Sequence, residues 1–268
     1  MMRSALRVEL LKITTTRMWW ILLLVMVLYI GMVAAFLTFS FSVVPDDAVA
    51  TGAPSLDDRT TVLAAYTLGL PLGYVFPVVL GVLVMTTEYR YQTITPTFLG
   101  DPNRARVLLA KLLVTFAVGL LFGVLGLAAS VAGAAPIVAL TDHAVLFGDS
   151  QLWRSLGQAC VAMALWAGIG VGLGAILRNQ VAAIVVILAF SQLVEPLARL
   201  GLNAWSATRD IAQFLPGAAA DAMAGASLYS LNAPGDLLRW WQGGLVMAAY
   251  AALFCVLGWF AVRRRDVA

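Results

Sequence analysis

Long runs that are nearly free of charge constrain this chain more than anything else in it. They fall at about residues 19–42, 62–87, 107–134, 152–177, 181–200 and 243–262. A bilayer's hydrocarbon core is about 30 Å thick and takes about 20 apolar helical residues to cross, because in lipid a helix satisfies its own backbone. The runs predict an all-α integral membrane protein with six transmembrane helices in a single transmembrane domain over residues 1–268. A charged fraction of 12% agrees, since soluble proteins average about a quarter. The net charge of +3 then reads as an excess facing anionic lipid and does not point to nucleic acid.

The charges between the runs set a direction. Arg3, Arg7, Lys12 and Arg17, then Arg90, Arg104, Arg106 and Lys111, then Arg178, then Arg263, Arg264 and Arg265 fall at alternate junctions and make twelve of the seventeen basic residues. The remaining junctions hold most of the acids, among them Asp46, Asp47, Asp57, Asp58, Asp142, Asp149, Asp210, Asp221 and Asp236. Basic loops stay on the cytoplasmic side, so both termini are expected inside and the acidic loops outside, in a multi-pass protein of the plasma membrane. The first run is longer than the 7–15 apolar residues of a signal peptide and shows no clear cleavage site, so it is expected to be retained as a span. Cys160 and Cys255 fall within predicted spans, where small apolar packing is their expected role.

Residues 2–17 predict an interfacial helix. Leu6, Leu10 and Ile13 share one side, with Arg3, Arg7, Lys12 and Arg17 toward its flanks and end. Residues 43–60, with two prolines and four aspartates, read as a solvated connector. Pro71 and Pro77 predict kinks in the second span. Glycine pairs four apart, such as Gly119 and Gly123 or Gly170 and Gly174, suit close helix packing.

The cytoplasmic loop 88–106 is punctuated. Thr95 is placed to cap a short helix with Pro96 in its first position and Gly100 at its end; Asp101 and Pro102 repeat the signal for the next helix. On loop physics alone this is equally a well-made helical hairpin.

Together, the basic N-terminal helix, the six spans and the stretches Glu88-Tyr89-Arg90-x-x-Thr93-Ile94-Thr95 and Pro102-x-Arg104-x-Arg106-Val107-Leu108-Leu109-Ala110-Lys111 resemble the permease subunits of type-2 ABC transporters, of a bacterial exporter-like kind. Leu215-Pro216-Gly217 is a further, weaker match. The resemblance implies a permease dimer, with a second copy or a paralogue, and a separate cytoplasmic ABC ATPase docked on each copy. The N-terminal helix would be the elbow helix. The loop would supply the coupling helix at Tyr91–Leu99, with Glu88, Tyr89, Arg90, Thr93, Ile94, Thr95, Phe98, Leu99, Arg104 and Arg106 as its coupling residues. Residues 201–242 would form the extracellular segment that carries short or re-entrant helices. Membrane lipids complete the expected partners.

The chain's own chemistry agrees. A phosphate-binding P-loop needs a glycine before its lysine, and the two lysines, Lys12 and Lys111, follow Leu11 and Ala110. No cofactor is expected on this chain, and ATP and magnesium would belong to the partner ATPase. A gradient-driven carrier would bury acids in its spans, and Glu195 is the sole candidate; Arg199 lies one helical turn on, so a structural pair is favoured. His143 has too few neighbours for a zinc site. The expected function is outward movement of a hydrophobic or amphipathic substrate (a drug, lipid or peptide). A secondary transporter and a membrane scaffold or sensor are the alternatives.

Overall fold

The structure, a computed structural model, describes residues 2–50, 52–101, 103–204, 208–225 and 238–263. Pro102, Asp236, Arg264 and Arg265, named above, lie outside the described residues. Within them every regular element is helical, and six helices are long and apolar enough to cross a membrane.

Helix α1 (Met2–Thr14) precedes α2 (Met18–Ser42), the first long helix. The second is divided into α4 (Arg59–Tyr66), α5 (Gly69–Gly73) and α6 (Val75–Arg90), after a short α3 (Asp46–Ala50). The short α7 (Ile94–Gly100) leads to α8 (Arg104–Leu140) and then to α9 (Ser150–Ile176). The fifth long helix is continuous through α10 (Gln180–Ala189), a π-helical turn at Phe190–Val194, and α11 (Glu195–Ala204). Short α12 (Arg209–Ala212) and α13 (Pro216–Ala224) follow, then α14 (Trp240–Arg263).

Helix α9 is the axis of the bundle. Its apolar stretch is 78% buried, against 22% for α2 and 17% for α14, so the outer helices keep apolar faces for lipid or for another subunit. Helices α6, α8 and α14 pack around α9, and α2 lies on the far side of α8. Glycine permits the closest of these approaches: a Cβ at Gly170 would stand 2.2 Å from the Val78 carbonyl oxygen, and one at Gly81 would stand 2.3 Å from that of Ala167. Gly168, whose Cβ would meet open space, takes no part.

The breaks in the second span fall where its prolines place them. Pro71 and Pro77 have no N–H for the carbonyls of Thr67 and Gly73, four residues earlier, and the helix is interrupted at Thr67–Leu68 and again at Tyr74. Ser130 of α8, fully buried, donates to the Ala65 carbonyl at 2.8 Å just above the first break.

Two expectations are corrected. The connector 43–60 is more than a solvated loop: it forms α3, and Leu56, 3% exposed, joins an apolar cluster with Leu63, Tyr66, Val138 and Leu152. The caps around α7 also differ. Thr93 occupies the cap position and Pro96 the third helical residue, which the unpaired amides of a first turn still tolerate. Asn103 caps α8 by accepting from the Arg106 amide at 3.1 Å, while Asp101 accepts from the Asn103 amide, also at 3.1 Å.

Candidate functional site

At the basic end of the bundle, α1 crosses the end of α6 and the start of α8, and four charged side chains meet there. Lys12 Nζ is 2.7 Å from Glu9 Oε1 and 2.7 Å from Glu88 Oε1. Lys111 Nζ is 2.7 Å from Glu9 Oε2 and 2.6 Å from Glu88 Oε1. Signs alternate around the ring, each ion faces two of opposite sign, and the whole is neutral. The Lys111, Glu9 and Glu88 side chains are 1%, 5% and 7% exposed; Lys12 is 35% exposed. A buried ion costs several kcal/mol unless compensated, which explains why the four occur together. Burial alone would lower the Lys12 amine. Hydrogen bonds and charge from Glu88 and Glu9 outweigh it and hold the pKa above the ordinary lysine value of 10.5.

Sequence reasoning missed the ring. The charge pattern gives Lys111 and Lys12 a role in topology and sets Glu88 beside the short loop helix, and it gives Glu9 no role. The available signal was periodicity: Met2, Leu6, Glu9 and Ile13 recur at steps of four, three and four, so Glu9 sits on an apolar stripe where an unpaired acid is costly. The buried residues of α1 are Glu9 and Ile13, with Leu6 half-buried. Leu10, expected on the same side as Leu6 and Ile13, is 47% exposed, and Arg3, Arg7 and Arg17 are exposed as well.

The ring reaches α7 through Lys12 Nζ, which also donates to Thr97 Oγ1 at 3.3 Å. The chain reverses after α6 at Gln92, whose φ of 57° is left-handed, and the Thr93 amide returns to the Glu88 carbonyl at 2.9 Å. Ile94 is buried in its own chain, and Phe98 packs on a cluster of Met85, Leu108, Val171 and Val262. Neither points outward as a free anchor. Tyr91 and Leu99 do, at 66% and 79% exposure, with Thr93 exposed and Thr95 partly so.

Arginines brace the same region. Arg104 lies over the Phe98 ring at 5.2 Å and donates to the Val262 carbonyl at 2.9 Å, tying α7 and α8 to the end of α14. Arg106 reaches both Asp101 oxygens at 3.2 Å. Arg90 sits over Tyr91 at 5.7 Å and donates to Gln180 Oε1 at 3.3 Å, and Arg178 sits over Tyr89 at 5.8 Å. The structure thus gathers the predicted loop residues around one short helix.

A second charged group lies at the opposite end. Arg199 donates to Glu195 Oε1 at 2.8 and 3.2 Å, the pairing expected from their spacing. It also reaches Asp221 Oδ2 at 2.7 Å, and the Gly217 amide donates to Glu195 Oε1 at 2.6 Å. A Cβ at Gly217 would come within 2.3 Å of both the Arg199 and Glu195 side chains. The Leu215-Pro216-Gly217 signal therefore seats α13, buried along its whole length, against α11. Tyr74 stacks on Trp166 with centroids 4.5 Å apart and donates to the Ser191 carbonyl at 3.1 Å, fixing the π-helical turn. His143 lies 3.5 Å from Asp57 and 3.0 Å from the Thr141 hydroxyl. Cys255 Sγ contacts the Gly168 carbonyl at 3.7 Å.

Comparison with known proteins gives the chain a family. A family model described as ABC-2 family transporter protein matches residues 5–193, from α1 into the π-helical turn. No curated protein matches the chain. The family match takes in the ring, α7 and the first four long helices, and on that ground this multi-pass membrane chain belongs to the ABC-2 transporter family, as a permease subunit.

Proposed function

We propose that the chain is the membrane-spanning half of an ATP-driven exporter: a separate cytoplasmic ATPase docks against α7, and a hydrophobic or amphipathic substrate moves outward across the plasma membrane. In this reading the basic end faces the cytoplasm, two permease copies or related chains pair, and the motor is borrowed. The observation that carries it is the mounting of α7. A helix of seven residues is fixed at Thr97 to Lys12, at Phe98 to the core and at Arg104 to the last span, while Tyr91 and Leu99 stand clear. A braced element transmits a push that a loose loop would absorb, and exposed aromatic and apolar side chains anchor partners in grooves.

The test uses the outward residues, because Ile94 and Phe98 hold α7 to its own chain and their loss would unseat it. Leu99→Asp and Tyr91→Asp are expected to abolish co-purification of the co-expressed ATPase and its substrate-stimulated hydrolysis while membrane insertion is unchanged. Normal co-purification and normal stimulation in the double variant would refute docking at this helix.

A further inference from the structure

A cavity of about 730 Å³ opens beside the ring, between the α1–α2 junction and α6 with the start of α10. Its size is that of a ligand pocket. Its lining changes character along its length. One wall is apolar: Met18 and Ile21 of α2 face Leu80, Leu83 and Val84 of α6. The mouth is charged and hydroxylated, with Arg17, Arg90 and Lys12 and the two acids of the ring, Glu9 and Glu88, beside Thr87 and Thr93.

The charges at that mouth do not cancel. Lys12 belongs to the neutral ring, where Glu9 and Glu88 are matched by Lys12 and Lys111. Arg17 and Arg90 remain. Among the described residues neither pairs with a carboxylate, and Arg90 reaches only the neutral amide of Gln180 and the ring of Tyr91. Two exposed guanidinium groups without carboxylate partners, beside an apolar wall, suit an anion that continues into hydrocarbon. Guanidinium groups hold phosphate oxygens through paired N–H bonds, and basic pockets between helices at a membrane surface select anionic headgroups.

We infer that this cavity binds an anionic phospholipid from the adjoining leaflet, with its phosphate between Arg17 and Arg90 and an acyl chain along Ile21, Leu80 and Val84. Lys12 contributes its remaining exposed face to the headgroup, so occupancy presses on the ring and, through Thr97, on α7. This assignment does not depend on the ATPase reading, since lipid binding is measured on the permease alone.

The experiment is native mass spectrometry of the full chain released from nanodiscs, counting retained phosphatidylglycerol against phosphatidylcholine with the same chains. The unaltered protein is expected to retain phosphatidylglycerol, and excess inorganic phosphate is expected not to displace it, because the apolar wall supplies part of the hold. Arg17→Gln with Arg90→Gln is expected to weaken retention about thirtyfold, taking about 1 kcal/mol, or about fivefold, for each charge near a membrane surface. Arg3→Gln with Arg7→Gln removes the same charge from the exposed face of α1 and is expected to change little. Equal losses in the two double variants would reduce the effect to general surface attraction and overturn the site. Displacement by phosphate alone, or equal retention of both lipids, would overturn it as well.

Discussion

Lys12 and Lys111 make the same contacts to the same two carboxylates at 2.6–2.7 Å, yet their removal is expected to have very different consequences. Lys111 is 1% exposed and Lys12 35%. Lys111→Met keeps the apolar stem and deletes the charge, leaving the buried Glu9 and Glu88 with one cation between them. Breaking a buried pair from one side costs about 3–5 kcal/mol. Lys12→Met leaves the buried Lys111 bridging both acids, and what it deletes is partly hydrated, so about 1 kcal/mol or less is expected. For a chain of this size each kcal/mol shifts the melting temperature by about 2–4 °C, which gives a loss of about 6–20 °C for Lys111→Met and a few degrees for Lys12→Met. Thermal unfolding followed by fluorescence-detected size exclusion in one detergent measures both. Adding Glu9→Gln to Lys111→Met restores neutrality and is expected to recover part of the loss, while Glu9→Gln alone destabilises. Equal shifts for the two lysine variants, or no recovery in the double variant, would refute the account of the ring as a charge-balanced buried unit.

Other outcomes follow from particular contacts. Gly170→Ala drives a methyl into the Val78 carbonyl and is expected to cost about 1–3 kcal/mol by overpacking, whereas Gly168→Ala, four ångströms clear of anything, is expected to be neutral; the same melting assay separates them. Arg199→Gln leaves Glu195 and Asp221 without their shared cation, and faster proteolysis between α11 and α14 is the expected result. Asp149, which caps α9 and pairs with Arg59, is held below the ordinary carboxylate value of 3.8 by Arg59 first and by the Gln151 amide next. A depressed folded pKa contributes stability that is present above the unfolded value and is lost as pH falls through the folded one, so melting curves below pH 4 are expected to fall less steeply in Arg59→Gln. Single cysteines placed within 46–58 are expected to label from outside in intact cells, and those within 92–105 only after lysis; the reverse pattern would invert the proposed orientation.

The long helices were legible because their period and length are local properties of the chain. The kinks were legible for the same reason, since a proline's missing donor acts four residues back and nowhere else. The Glu195–Arg199 pair lies within one helical turn and could be read from spacing, but its third member, Asp221, comes from α13 and could not. The ring was hidden by the same limit. Lys111 and Glu88 are 23 positions apart, and Lys111 is 102 positions from Glu9, so nothing local announces that they meet. Two of the caps lie two residues from the expected positions, Thr93 in place of Thr95 and Asn103 in place of Asp101, because several polar residues in 93–103 are able to cap, and the choice among them is made by where α6 and α8 must lie. That Ile94 and Phe98 face inward while Leu99 faces outward was not legible either, because the sequence of a short helix does not say which of its sides the rest of the protein already covers.

The jointed second span has a mechanical consequence. Below its break at Tyr74, α6 is a helix of 16 residues, about 24 Å long, that carries Glu88 in its last turn before the chain passes to α7. Above the break, α4 is fastened to α8 by Ser130. A rod of that length needs to tilt only about 5° about Tyr74 for its tip to travel about 2 Å, which is enough to part contacts of 2.6–2.7 Å. The four ions therefore oppose that tilt: they tie the tip of α6 to α1 and α8, so the lower half of the span is held at its end as well as along its face on α9.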